Sequence, residues 1–173
     1  MAQNVRRRGL PLAVIDNTLL SRLVSLEVAQ FLPLLYKHIL IPPEVKREAY
    51  KAPHKGKRRL QKLVNEMKGF FVDCYEADEL VKNYLQADLD EGEAAAIAQA
   101  DYKQSHLLID EDKGFKRART MQLTALRTAS LLILLKEAGA IPEVRPYYDK
   151  LEKTGFFLKE TVRKRLLAIA GEE

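Results

Sequence analysis

The chain has 173 residues, 47% of them hydrophobic and 31% charged, with a net charge of +5. This length supports one domain with a sizeable core and is short for two, and the composition excludes a disordered chain. No apolar run approaches the roughly 20 residues that a bilayer span requires, and a single cysteine, Cys74, excludes an intrachain disulfide.

The basic start MAQNVRRRGL leads into an apolar segment that is short and interrupted by Asp16, a poor secretory signal, so a cytoplasmic location and no membrane partner are expected. LAVI (Leu12 to Ile15) reads as a buried strand, and Asn17 or Thr18 is expected to cap the helix after it. HILI (His38 to Ile41) reads as a second strand, closed by Pro42 and Pro43, with Pro43 in the first turn of a helix carrying Glu44 and Glu48. A polar loop from Ala52 to Lys57 is expected next, then an amphipathic helix with Leu60, Leu63, Val64 and Met67 on one face. FFVDCY (Phe70 to Tyr75) reads as a third strand with Cys74 buried or half-buried in it. Helical spacing follows over 77–86 and 91–103, then a fourth strand, HLLI (His106 to Ile109), and a helix over 113–121. LTAL (Leu123 to Leu126) suits a short fifth strand before an apolar helix over 129–138. The tail from Pro142 to Gly171 carries two helical patterns split at Thr154 and Gly155. Strands alternating with helices imply βαβ units and a parallel sheet covered on both faces.

Acidic residues stand where this pattern turns from strand into helix, or on the helices that pass that edge: Asp16, Glu48, Glu93, and Asp110 with Asp112. Carboxylates gathered at one sheet edge repel one another, and such a cluster usually exists to bind a divalent cation. Each acid also has a plainer reading. Asp16 suits a helix N-cap, Glu44 and Glu48 a solvated helix face, and Asp90 with Glu93 a capping box. His38, His54 and His106 have no ligand-spaced partner, and no phosphate loop of the Walker type occurs. With several acids drawn into one pocket, the rest of the surface is more basic than +5 suggests, which favours a polyanion such as nucleic acid. The densest basic run is His54 to Lys62, with a second at Arg163 to Arg165.

The segments DNTLL, PPEVKREAY, DEGEAAAIAQA, LLIDEDKGFKRA and LLILLKEAGAIPEV, in this order between about Leu10 and Gly171, resemble a PIN-domain nuclease, and more narrowly its VapC-like group. The resemblance implies a three-layer α/β/α sandwich around a small parallel sheet of four to five strands over 1–141, with a C-terminal helical extension over 142–173 packed on it. It further implies an endoribonuclease in which acids hold Mg²⁺ or Mn²⁺ for hydrolysis of RNA phosphodiesters. Asp16, Glu48 and Glu93 match the first three acids of the family. For the fourth, the strand end favours Asp110 and the family's Asp-x-x-Phe spacing, read to Phe115, favours Asp112; Glu111 is a weaker candidate. By the same resemblance Asp16, Glu93 and Asp110 or Asp112 hold the metal, Thr18 orients metal or phosphate, and Lys113, Lys116 and Arg117, with Arg119 beyond them, contact RNA. Phe115 stands where the family often has Arg. His54 to Lys62 is a possible second rim. VapC-like proteins are commonly toxins, so a small cognate antitoxin and a homodimer are also implied. The alternative is a catalytically silent PIN-like module that binds nucleic acid or a partner. A metal-dependent phosphatase fits poorly, because Thr18 stands where that chemistry requires a second Asp.

Overall fold

Ala13, Val14 and Ile15 have no solvent exposure, and a four-residue strand of such residues is stable only with neighbours on both edges and cover on both faces. The computed structural model describes residues 9–51, 54–74 and 79–173, with His54 and Lys55 described by backbone alone. In chain order the elements are β1 (Leu12–Ile15), α1 (Asn17–Ser25), a 3₁₀ helix (Ala29–Leu34), β2 (His38–Ile41), α2 (Pro43–Lys51), α3 (His54–Glu66), β3 (Phe71–Asp73) and α4 (Glu79–Leu85). There follow α5 (Glu91–Lys103), β4 (His106–Leu108), α6 (Asp112–Thr120), β5 (Ala125–Leu126), α7 (Thr128–Glu137), α8 (Arg145–Lys153) and α9 (Glu160–Ile169).

All five strands are parallel, in the order β3-β2-β1-β4-β5. Ala13 sits opposite Ile39 on one side and His106 on the other, which makes β1 central. The chain steps outward from β1 through β2 to β3, then returns to build β4 and β5 on the opposite side. The direction therefore reverses between β1 and β4, and in open parallel sheets the crevice beyond the strand ends at such a reversal is where ligands bind. The Asp16 backbone N–H donates to the Leu108 carbonyl at 3.0 Å and ties the ends of these two strands together. Helices flank the sheet: α5 packs on β1 and β4 and against α2, α4 and α6, while α1 packs against α2, α3 and α7. Every residue of α5 from Gly92 to Ala100 is buried; its alanines let the backbone lie close to the strands.

The α/β architecture, the five strands and the helical tail agree with the sequence, and four local expectations change. Asp16 caps α1, accepting the Leu19 N–H at 2.9 Å, whereas Asn17 and Thr18 lie inside the helix. The loop expected over 52–57 is helical from His54 onward, because Gly56 meets no crowding and Lys57, Arg58 and Arg59 are good helix formers leading into buried Leu60. Residues 29–34 form a 3₁₀ helix that the apolar pattern did not announce. Cys74 is buried one residue past the end of β3. Ala52, Pro53, Tyr75, Ala77 and most of the basic N-terminal segment lie outside the described residues.

The C-terminal helices are docked by specific bonds. Tyr148 of α8 is fully buried and donates its hydroxyl to the Ala129 carbonyl of α7 at 3.0 Å. Glu172 accepts from Lys136 Nζ and the Val144 N–H, both at 2.7 Å, and from the Arg145 N–H at 2.9 Å. Among the described residues, no helix is long and apolar enough to cross a membrane.

Candidate active site

The reversal between β1 and β4 places Asp16 and Asp110 at neighbouring strand ends. Asp16 is 3% exposed. Its Oδ1 is committed to the cap of α1, and its other oxygen accepts no hydrogen bond among the described residues. Burial pushes its carboxyl well above the usual range; the Leu19 N–H opposes this, and the charges of Asp110, Glu111 and Glu93 reinforce it.

Asp110 is buried as well, its side chain without exposure. Its Oδ1 accepts the Thr128 N–H at 2.9 Å, at the first turn of α7. Its Oδ2 accepts the Thr128 hydroxyl and Arg22 Nη1, each at 2.6 Å. Arg22 reaches it from α1, and the guanidinium is covered on one face by the Phe156 ring, 4.5 Å from the centroid. Sequence reading missed both partners. For Thr128 a signal existed, a hydroxyl residue at a strand-to-helix junction; for Arg22 the signal was a lone cation in the apolar stretch LLSRLVS.

Glu93 and Glu48 approach along α5. The capping box is real: Glu93 N–H donates to Asp90 Oδ1 at 2.8 Å and Asp90 N–H to Glu93 Oε2 at 3.2 Å. It does not use all of Glu93, whose Oε1 points at Gly114 of α6, 3.1 Å from where a Cβ would stand. Glu48 leans from α2 onto the start of α5, accepting the Gly92 N–H at 3.1 Å. A Cβ at Gly92 would lie 2.5 Å from both Glu48 carboxylate oxygens. Glycine at 92 thus leaves the space the Glu48 carboxylate occupies, while at 114 a Cβ would meet Ile109 Cδ1 first, at 2.5 Å, and Glu93 second. Burial and then the Asp90 charge raise the carboxyls of both Glu48 and Glu93; Glu93 also feels Glu111 and Glu48.

Of the residues named from sequence, Asp16 and Asp110 stand at adjoining strand ends; the charges of Asp110, Glu111 and Glu93 reach Asp16, and those of Glu111 and Glu48 reach Glu93. Asp112 does not join them. It opens α6 facing outward, ion-paired to Arg127 at 2.6 Å, which holds its carboxyl below the usual range. The helix start turns it away from the pocket that Asp110, two residues earlier, enters from the strand end. Glu44, read as solvated, is buried and paired with Lys82 at 3.0 Å. Thr18 is half-buried on α1, and Lys113 and Lys116 are exposed on α6. Arg117 is turned to Asp88, at 2.6 Å.

Carboxylate oxygens are the donors Mg²⁺ and Mn²⁺ prefer. Among the described residues no three Asp, Glu, His or Cys side chains are grouped closely enough to hold an ion by themselves. Mg²⁺ does not need such a cage: it keeps several waters and takes one or two carboxylates together with phosphate oxygens. The Arg22 guanidinium on Asp110 shows the pocket already drawing in positive charge. The donor set fits the ion.

A family model described as a PIN domain matches residues 12–172. Among solved structures, the fold is similar to a PilT N-terminus domain protein from the hyperthermophilic archaeon Sulfolobus solfataricus P2, with 14% identity and a TM-score of 0.45 over 70% of this chain and 90% of that one. No curated protein matches.

Proposed function

The chain belongs to the PIN-domain family, and from that premise we propose that it is a divalent-metal-dependent endoribonuclease hydrolysing RNA phosphodiester bonds. What supports this is the placement of Asp16 and Asp110 at the adjoining ends of β1 and β4, tied by the Asp16 N–H to the Leu108 carbonyl, with Glu93 near enough for its charge to raise the Asp16 carboxyl. Mg²⁺ or Mn²⁺ there would be held by Asp16 and Asp110, with Glu93 and waters completing the shell, and would supply a water of lowered pKa and neutralise charge on the scissile phosphate. The chain's own contribution is positional. The cap to Leu19 fixes one Asp16 oxygen and leaves the other without a hydrogen bond among the described residues, and Thr128 with Arg22 fixes the Asp110 plane. Glu48, held at Gly92, adds negative charge beside Glu93. Lys113 and Lys116, one helix start away, are suited to phosphate oxygens.

Incubation of end-labelled single-stranded RNA with Mg²⁺ or Mn²⁺ tests this reading. Cleavage is expected with either ion, absent in chelator, and at least about 100-fold slower in Asp16→Asn with unchanged circular dichroism. Wild type that binds RNA yet leaves it intact in both ions supports the second reading, a silent binding module. That reading has its own support, since Thr128 and Arg22 already satisfy Asp110 as they would a structural acid. By the same family likeness, the activity is that of a toxin restrained by a small antitoxin, and the chain is a homodimer. Co-purification with the product of an adjacent small gene, and the mass in solution, test those two points.

A further inference from the structure

A cleft of about 600 Å³ runs between α1 and α8, lined by Thr18, Ser21 and Arg22 on one wall and Lys150, Lys153 and Thr154 on the other. We infer that this cleft carries the backbone of single-stranded RNA to the acidic pocket, so that the C-terminal extension is one wall of the substrate channel. The inference rests on the nuclease reading and adds where the strand lies.

Continuity is the first argument. Thr18 is two residues from Asp16, and Arg22 lines the cleft while its Nη1 is bonded to Asp110, so the cleft lies beside the acids with Arg22 between them. Charge is the second. Lys150 and Lys153 stand three residues apart on one stripe of α8, and the acids of that helix are drawn elsewhere: Arg163 of α9 takes both Asp149 and Glu152. Among the described residues no carboxylate lines the cleft. Neither lysine is in an ion pair among the described residues; Lys150 lies over the Tyr147 ring, 5.3 Å from its centroid. The third argument is the set of polar groups in the lining, the cations of Arg22, Lys150 and Lys153 with the hydroxyls of Thr18, Ser21, Ser25 and Thr154, set among the apolar surface of Leu26 and Leu151. Those donors match phosphate and sugar oxygens, which position a strand without reading its sequence.

The test uses Asp16→Asn full-length chain as the non-cleaving parent, and fluorescence anisotropy of a labelled single-stranded RNA 12-mer across a salt series. Adding Lys150→Gln and Lys153→Gln is expected to weaken binding about tenfold and to reduce the slope of log affinity against log salt by about 1.4, near 0.7 per lost phosphate contact on a single strand. Lys164→Gln, on exposed α9, is the control and leaves both unchanged. Parent binding with the same affinity and slope in the double lysine variant overturns the cleft inference and leaves the nuclease reading standing. Displacement of the RNA by polyaspartate at equal charge concentration also overturns it, in favour of an acidic peptide. Failure of the parent to bind RNA, with no cleavage by wild type, overturns both.

Discussion

Asp16 plays two parts that oppose each other energetically. As N-cap it stabilises α1 by about 1 kcal/mol; as a buried carboxylate among Asp110, Glu111 and Glu93 it is costly to ionise. Asn caps as well as Asp and carries no charge, so Asp16→Asn is expected to abolish cleavage while raising stability at pH 8 by about 1 kcal/mol, read from urea unfolding. The pH dependence follows from the raised carboxyls. Between the unfolded-state values and the higher folded ones, the native protein binds more protons than the unfolded chain, so stability falls as pH rises through that window. In Asp16→Asn that fall is expected to be shallower; an unchanged profile would mean that Asp16 is not the group being strained. Arg22 acts the other way. Arg22→Gln leaves Asp110 buried with Thr128 alone, and a loss of about 2 kcal/mol is expected. Sequence brought Asp16, Glu93 and Asp110 into view because each sits at a strand or helix boundary. It left Asp110 and Asp112 unresolved because a two-residue shift in where β4 ends decides which one faces inward. Arg22 was hidden among 29 Lys and Arg residues, since nothing local says which cation a distant carboxylate will meet.

At the level of elements, the junction of α2 with α5 makes the most specific demand. Glycine in a helix interior costs about 1 kcal/mol relative to Ala, yet Gly92 lies in the first turn of α5, where a Cβ would strike Glu48. Gly92→Ala is therefore expected to leave the unfolding free energy within about 1 kcal/mol of wild type, because the Glu48 side chain can swing aside, while lowering the cleavage rate several-fold. A variant cleaving at the wild-type rate would remove Glu48 from the site. The strands were legible because four-residue apolar runs bounded by Pro, Asp or Gly have few other solutions. The start of α3 was not, because Pro53 and Gly56 read as loop signals, and tertiary burial of Leu60 with strong helix formers before it outweighs one glycine. The 3₁₀ helix over 29–34 has no period long enough to stand out. The capping box of α5 was legible, but only the packing of α6 shows that Glu93 keeps an oxygen for the pocket.

Across the whole molecule, charge is sorted: acids at the β1/β4 reversal, cations on the flanks of α6 and α8, and a second set of pairs sealing the C-terminal helices to α7. Glu172 is the centre of that seal. Burial pushes its carboxyl up, but Lys136 and the N–H groups of Val144 and Arg145 outweigh it and leave it below the usual range. Its stabilisation is present above the unfolded-state value near 4.3 and disappears as pH falls through the lower folded value. Glu172→Gln is expected to cost about 1 kcal/mol at pH 7 and nothing at pH 2; equal loss at both would assign the effect to packing. How the tail docks could not be read from sequence, since Glu172 and Lys136 are 36 residues apart and only the fold joins them. Anomalous scattering from a Mn²⁺-soaked crystal reads the acidic edge of the sheet directly. A peak is expected at the ends of β1 and β4 within coordination distance of Asp16 and Asp110, lost in Asp16→Asn. Ordered carboxylates with no peak there, or Mn²⁺ bound only elsewhere on the surface, would contradict the nuclease reading.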